Sequence, residues 1–130
     1  MRYTVCICGD RECTDYNVVD DAVYASGYKG NIREIVSGGA RGSDKLGEDY
    51  AKKNGIPVEL FMANWNKFGK SAGSIRNQQM VEYLKKLYPN AACVAIYSGS
   101  PGTTDMINKC KKAGIPVYIY NWKKEHVNGM

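Results

Sequence analysis

The chain has 130 residues, of which 44% are hydrophobic and 24% are charged, and its formal net charge is +5. This length and composition fit one globular domain with a buried core and exclude a low-complexity or disordered chain. No apolar run approaches the ~20 residues of a membrane span, and the apolar stretch at the N-terminus is too short for a secretory signal. We therefore expect a cytoplasmic protein with no membrane partner.

Strand-like and helix-like segments alternate along the chain. Apolar runs predict strands at residues 3–8, 32–37, 58–63, 91–98 and 117–121. Helical spacing predicts helices over 15–27, from 43 or 44 to about 53, over 74–88, and after residue 105, with 64–73 as a loop. Strict alternation predicts an α/β fold: a single Rossmann-like domain over residues 1–121, with a five-stranded parallel sheet in the order 3-2-1-4-5 and helices on both faces. Residues 122–130, with the lone His126, are predicted to form a polar tail.

This strand order predicts where a ligand binds. In such sheets ligands occupy the crevice at the carboxyl ends of the strands beside the switch point, here between the first and fourth strands. The loops at that edge are 9–15, 38–44, 64–76 and 98–105. Lysine pairs at 52–53, 85–86 and 111–112 are predicted at the opposite edge, where they complement the carboxyl ends of helices. The positive charge therefore does not indicate specific nucleic-acid binding.

Two glycine-rich turns lead from strands into helices. Such turns let backbone amides converge on an anion at the start of a helix, although a merely tight turn would also explain them. The first, "SGGARGSD", contributes the candidate ligand-binding residues Gly38, Gly39, Arg41, Gly42, Ser43 and Asp44. The second, "SGSPGTTD", contributes Ser98, Gly99, Gly102, Thr103 and Thr104. Each turn could hold one phosphate, or one turn could hold a phosphate and the other a ribose. Two such turns beside one switch point therefore favour a nucleotide as the ligand.

A third loop carries cations and an aromatic side chain. Lys70, Gly73 and Asn77 allow an anion to approach Arg76, which is predicted to stand in the first turn of a helix. A cation there opposes the helix dipole, so we expect Arg76 to bind the ligand rather than to stabilise the fold. Trp65 is expected either to stack on a base or to pack in the core.

The five cysteines are Cys6, Cys8, Cys13, Cys93 and Cys110, and no C-x-x-C motif occurs. A metal site at the first three is one interpretation. Reduced, mostly buried thiols are the preferred interpretation, and we expect Cys6, Cys8 and Cys93 to react slowly. We predict no metal and no cofactor.

Taken together, the motifs resemble a known family. "CGDR", "VSGGARGSD", "NW…GKSAGSIRN..M" and "SGSPGTTDMI…AGIPV" look like the small YspA/YpsA-type branch of the SLOG superfamily over about residues 3–120. The resemblance implies a Rossmann-like fold that binds nucleotides or nucleotide-derived ligands. Relatives in that superfamily include phosphoribohydrolases, DNA-processing DprA proteins and sensors linked to NAD and ADP-ribose.

The resemblance also implies roles for single residues. The Gly-Ser-Arg of the family stands here as Gly9-Asp10-Arg11, and Asn64 replaces an aspartate. Arg76 with Met80 fits the phosphoribohydrolase pattern. The catalytic glutamate of those enzymes is replaced by Met106, one residue after Asp105, which weakens the hydrolase interpretation.

The leading hypothesis is a module that binds a nucleotide or phosphorylated ribose compound, such as an ADP-ribose, NAD-related or cyclic nucleotide signal, for sensing or sequestration. The alternative is a phosphoribohydrolase-type N-glycosidase that acts on a nucleoside monophosphate, with Asp105, Asp10 and Arg76 as catalytic residues. A weaker alternative is single-stranded DNA binding of the DprA type. We also expect a homo-oligomer, because helix faces in related folds pair.

Overall fold

The computed structural model describes residues 2–124 of the chain. Five strands form one parallel sheet in the order β3-β2-β1-β4-β5. The predicted α/β class and strand order are therefore confirmed. In chain order the elements are β1 (Tyr3–Gly9), α1 (Tyr16–Ser26), β2 (Ile32–Ser37), α2 (Ser43–Lys53), β3 (Val58–Leu60), α3 (Trp65–Phe68), α4 (Ala72–Leu87), β4 (Ala91–Tyr97), α5 (Pro101–Lys112) and β5 (Val117–Asn121).

The centre of the sheet is the pairing of β1 with β4, which runs from Thr4 opposite Ala91 to Gly9 opposite Ile96. Both strands are almost wholly buried, as expected for parallel strands covered on two faces. On one face α1 and α2 pack over a cluster that includes Ile7 and Val94. On the other face α4 and α5 pack over a cluster that includes Met80 and Cys93. Helices thus cover both faces of the sheet, and loops follow the strands at its carboxyl edge.

The loops and short elements differ from the prediction around β3. The third strand ends at Leu60 instead of residue 63, because it is an edge strand and its apolar side chains are not buried; Leu60 is 46% exposed. The predicted loop 64–73 contains α3 and a 3₁₀ turn over Gly69–Ser71 that leads directly into α4. The helix α4 consequently begins at Ala72, two residues earlier than predicted, which moves Arg76 from its first turn into its second.

The predicted tail is partly integrated into the domain. Trp122 packs against the core beside α1 and α2, and its indole Nε1 donates to Asp10 Oδ2 at 3.3 Å. The boundary at residue 121 therefore cuts through a packed region, while residues 125–130, with His126, lie outside the described residues.

The two edges of the sheet carry different residues, as predicted. The lysine pairs 52–53, 85–86 and 111–112 lie at or next to the carboxyl ends of α2, α4 and α5. Because these helices run antiparallel to the strands, the pairs lie at the edge opposite Gly9 and Gly38. Within residues 2–124, no helix is both long enough and apolar enough to cross a bilayer.

Candidate functional site

A cavity of about 650 Å³ opens at the carboxyl ends of β1 and β4. Its size falls within the range of small-molecule pockets, and its position is the predicted switch point. Twelve of the residues singled out in the sequence line it: Gly9, Asp10, Arg11, Asp44, Trp65, Lys70, Gly73, Arg76, Asn77, Gly102, Thr103 and Asp105. Loops 9–15 and 64–76 contribute all of their candidates to this cavity, and loop 98–105 contributes half of its candidates.

The remaining candidates lie elsewhere. Gly38, Gly39 and Arg41 line a second, shallower hollow that shares Arg11, Trp65 and Arg76 with the main cavity. The guanidinium of Arg41 is exposed and pairs with Glu12 at 3.1 Å. The residues Gly42, Ser43, Ser98, Gly99 and Thr104 line neither space.

Arg76 occupies the inner wall of the cavity and is only 9% exposed. Its Nη1 donates to the Gly38 carbonyl, and its Nε donates to Asn77 Oδ1 at 3.0 Å. This burial and bonding differ from the expectation that Arg76 contributes little to the fold. A buried guanidinium held in this way presents a fixed positive charge to an anion in the cavity.

The glycines of the "SGGARG" turn make room for protein atoms. A Cβ at Gly38 would lie 2.7 Å from Nη1 of Arg76, and a Cβ at Gly42 would lie 2.3 Å from the Arg11 carbonyl oxygen. Ser43 is wholly buried and donates through Oγ to the Asp10 carbonyl at 2.8 Å. This turn therefore packs the chain tightly behind the cavity.

The second glycine-rich turn, before α5, does not pack against other protein atoms in this way. Helix α5 begins at Pro101, and its N-cap Ser100 makes no side-chain capping hydrogen bond. A Cβ at Gly102 would meet no atom within 4 Å, and Gly102 and Thr103 line the cavity. The start of α5 thus presents backbone amides and open space to a ligand, an arrangement that suits an anion.

Asp10 lies in the turn after β1 and serves as an anchor for three segments. It accepts hydrogen bonds from Ser98 Oγ, from the Glu12 amide at 3.0 Å and from Trp122 Nε1. Burial alone would raise the pKa of Asp10, but these donors outweigh it and hold the pKa below its usual value. A carboxylate so firmly held in its charged form is poorly suited to proton transfer.

Asp44, in the first turn of α2, is the carboxyl group most changed by its surroundings. Burial, together with the nearby Cys8 thiol, raises the pKa of Asp44 to about 7, although the Ala40 amide donates to it at 3.1 Å and Arg76 favours its charged form. Asp44 was expected from the sequence to cap a helix and help hold an anion. A neutral carboxyl that titrates near pH 7 is instead a candidate proton donor.

Asp105 projects from α5 into the same cavity. It accepts a hydrogen bond from Asn77 Nδ2 at 3.0 Å and pairs with Lys109, whose Nζ also donates to Ser74 Oγ at 2.9 Å. Met106, which follows Asp105 on α5, also lines the cavity and is buried. The carboxylate that reaches the cavity from α5 is therefore Asp105.

Trp65 stands at the rim of the cavity and is 51% exposed. Its ring lies near Gly73, where a Cβ would be 3.5 Å from the indole. Of the two interpretations of Trp65, this exposure contradicts packing in the core, and stacking on a base stays a prediction.

The cavity has residues that the sequence did not identify as site residues. Sulfur-containing side chains line its floor, and Ser74 and Pro101 line its wall; the sulfur-containing residues are Cys8, Met80 and Met106. An apolar residue in a buried strand, such as Cys8, or on the buried face of a helix, such as Met106, gives no local signal that it lines a cavity. Only the three-dimensional arrangement identifies them.

The sequence is similar to those of known proteins. The profile of the YspA, cpYpsA-related SLOG family matches residues 3–68. The gene 61 protein of Mycobacterium phage D29 is 35% identical over 126 residues, which cover 92% of this chain and 97% of that protein. The chain belongs to the YspA, cpYpsA-related SLOG family. The resemblance in the motifs is thereby confirmed, and membership of the SLOG superfamily supports a nucleotide-related binding or processing role.

The fold also resembles a solved structure. DNA processing protein A (DprA) from Streptococcus pneumoniae superimposes with a TM-score of 0.69 over 91% of this chain. The sequence identity is 15%, and the matched region is 50% of the DprA chain, so the likeness shows the fold alone. The two proteins therefore share the Rossmann-like fold, and this chain spans about half the length of the DprA chain that it matches.

Proposed function

We propose that the cavity binds a nucleotide or phosphorylated ribose compound, for sensing or sequestration. The observation that carries this proposal is the meeting, in one cavity, of a fixed guanidinium (Arg76) and the open amide end of α5 at Gly102. Each favours an anion, and together they suit a phosphate approached from two sides.

The other lining residues suit the rest of such a ligand. Thr103 offers a hydroxyl group of the kind that ribose hydroxyls hydrogen-bond, and Lys70 adds a positive charge. Trp65 offers an exposed ring at the rim, where a base would stack. Phosphate inside and base at the rim is therefore the orientation we propose.

A second candidate function is cleavage of the base–ribose bond of a nucleoside monophosphate. The observation that favours it is that two carboxyl groups, Asp44 and Asp105, line the same cavity, and burial raises the pKa of Asp44 to about 7. In this reaction Asp105 would stabilise the positive charge that develops on the ribose, and Asp44 would protonate the departing base. Three donors hold Asp10 in its charged form, so Asp10 would take part only by stabilising that positive charge and not by proton transfer.

The test is a ligand screen followed by product analysis. AMP, ADP-ribose, NAD, cyclic nucleotides and a short single-stranded DNA are each added in a thermal unfolding assay, and stabilising compounds are then incubated and analysed for free base. Stabilisation without base release supports binding alone. Sustained release that Asp105→Asn abolishes would establish the hydrolase, and stabilisation by DNA but by no nucleotide would contradict the proposal.

A further inference from the structure

Three thiols form one cluster beneath the cavity. Cys6 and Cys8 are two residues apart on β1 and share a face of the sheet, and Cys93 on β4 lies directly opposite Cys6. The three Sγ atoms lie within 4.8 Å of one another, and those of Cys8 and Cys93 are 3.6 Å apart. Packing against α4 and α5 buries the cluster.

Cys8 differs from its neighbours because it reaches the cavity. It is 5% exposed and lines the cavity wall beside Gly9 and Arg76, whereas Cys6 and Cys93 are 0% exposed. Cys8 therefore borders the space that a small molecule would occupy, whereas Cys6 and Cys93 do not line this cavity.

The surroundings favour a single thiolate at Cys8. Hydrogen bonds from Cys6 and Cys93 lower the pKa of Cys8 well below its ordinary value; burial opposes this effect and the charge of Arg76 adds to it. The pKa of Cys6 is raised by its hydrogen bond to Cys8, and that of Cys93 by its bonds to Cys110 and to the other two thiols. Asp44 is the acidic group that faces Cys8, and its own raised pKa keeps much of it neutral at pH 7.

We propose that Cys8 is a covalent modification site inside the cavity, open to a small peroxide or other small uncharged electrophile while the cavity is empty and covered once a ligand occupies it. Protection by a ligand rests on the function proposed above, whereas reactivity of the empty cavity does not. The predicted slow reaction of Cys6 and Cys93 is retained, and the same prediction for Cys8 is revised.

With hydrogen peroxide the step is a two-electron oxidation of sulfur. The Cys8 thiolate attacks one peroxide oxygen, the S–O bond forms as the O–O bond breaks, and the leaving hydroxide takes a proton from solvent to become water. The product is a sulfenic acid at Cys8, reducible by an added thiol. Because Cys8 and Arg76 line the same cavity, the added oxygen should hinder a ligand there, so modification and ligand occupancy should oppose each other.

A metal ion held by the three thiols is the competing interpretation of the cluster. It requires deprotonation of all three sulfur atoms, which the raised pKa values of Cys6 and Cys93 oppose. The experiment below therefore also measures whether the protein binds zinc through these three thiols.

The experiment measures how fast each cysteine reacts in the folded wild-type protein. Reduced protein is exposed to iodoacetamide, or to dilute hydrogen peroxide with dimedone, and peptide mass spectrometry follows each residue over time. Cys8 should react at least about tenfold faster than Cys110 or Cys13, which are wholly buried and do not line this cavity. Because the comparison is made within one protein, it does not depend on whether a variant folds.

Two results would overturn the proposal. The first is labelling of Cys8 no faster than that of Cys110. The second is stoichiometric zinc in the protein as purified, or on titration, that is lost in Cys6→Ser and Cys93→Ser but kept in Cys13→Ser.

A final comparison separates this proposal from the proposed function. AMP, ADP-ribose and NAD are each added before iodoacetamide, and a ligand in the cavity should slow Cys8 at least about tenfold while leaving Cys110 unchanged. Fast labelling that no nucleotide slows would support the modification site and contradict nucleotide binding in this cavity.

Discussion

At the scale of single residues, Arg76 joins the fold to the site. Its guanidinium is buried and donates to the Gly38 carbonyl from inside the cavity wall. Arg76→Ala should weaken nucleotide binding roughly tenfold to 150-fold, the equivalent of about 1.5–3 kcal/mol for a charge-assisted contact. It should also lower the free energy of unfolding by about 1–3 kcal/mol, because a buried carbonyl loses its donor.

The measurements are denaturant unfolding and titration of the best ligand from the screen. Arg41→Ala is the matched control, because that guanidinium is exposed and paired only with exposed Glu12; it should change stability by less than about 1 kcal/mol. Arg76→Lys should restore part of the binding, since it keeps the charge without the two-pronged geometry. Equal affinity in all of these variants would remove Arg76 from the site.

Asp44 makes stability depend on pH. Because its pKa is raised to about 7 in the folded chain, the folded state holds a proton that the unfolded state has released above ~pH 4. The free energy of unfolding should therefore fall as pH rises from about 4 to 7, by up to about 4 kcal/mol from this group, and then level off. Asp44→Asn should flatten this slope while still accepting from the Ala40 amide. Urea unfolding of both proteins at pH 5 and pH 8 checks this, and parallel pH profiles would exclude Asp44 as the cause.

At the scale of elements, the turns before α2 and α5 look alike in sequence and differ in structure. Gly42 has a φ of +77°, and a Cβ there would meet the Arg11 backbone, whereas a Cβ at Gly102 would enter open cavity space. Gly42→Ala should therefore destabilise the fold by at least about 1–2 kcal/mol. Gly102→Ala should leave stability unchanged, or higher by up to about 1 kcal/mol, and should weaken ligand binding. Thermal unfolding and ligand titration of the two variants distinguish a turn that packs against the protein from a turn that binds the ligand. Equal stability and equal affinity in the two variants would contradict this difference between the turns.

The same two turns show what could be predicted from the sequence and what could not. Apolar runs and helix signals are local, so they predicted the strands, and strand–helix alternation predicted the sheet order that the structure confirms. That the carboxyl edge carries the site stays a prediction. Whether a glycine faces a ligand or a neighbouring segment depends on distant residues, such as Arg11 behind Gly42 or Ile96 behind Gly9. The burial of Arg76 and the exposure of Cys8 to the cavity likewise follow from packing between β1, β4 and α4. The homo-oligomer and the cytoplasmic location remain predictions.

At the scale of the whole molecule, positive charge is divided between two edges. Lys70 and Arg76 line the cavity, while Lys111 and Lys112 lie at the far end of α5. A nucleotide with one or two phosphates should therefore show a shallow salt dependence, with an affinity loss of less than about tenfold between roughly 50 and 200 mM salt. Lys70→Ala should weaken binding by a few-fold, and the double variant Lys111→Ala/Lys112→Ala should bind like wild type.

Single-stranded DNA is a second ligand whose salt dependence can be compared with that of a nucleotide. A strand that runs along the lysine edge would release many counterions and show a steep salt dependence. We expect a short oligonucleotide to bind weakly at about 200 mM salt and to be displaced by AMP where it does bind, because both would use the cavity edge. Fluorescence anisotropy of a labelled oligonucleotide measures this directly. Tight DNA binding that survives excess AMP and is lost in Lys111→Ala/Lys112→Ala would place the functional surface at the opposite edge of the sheet and overturn the site proposed for this chain.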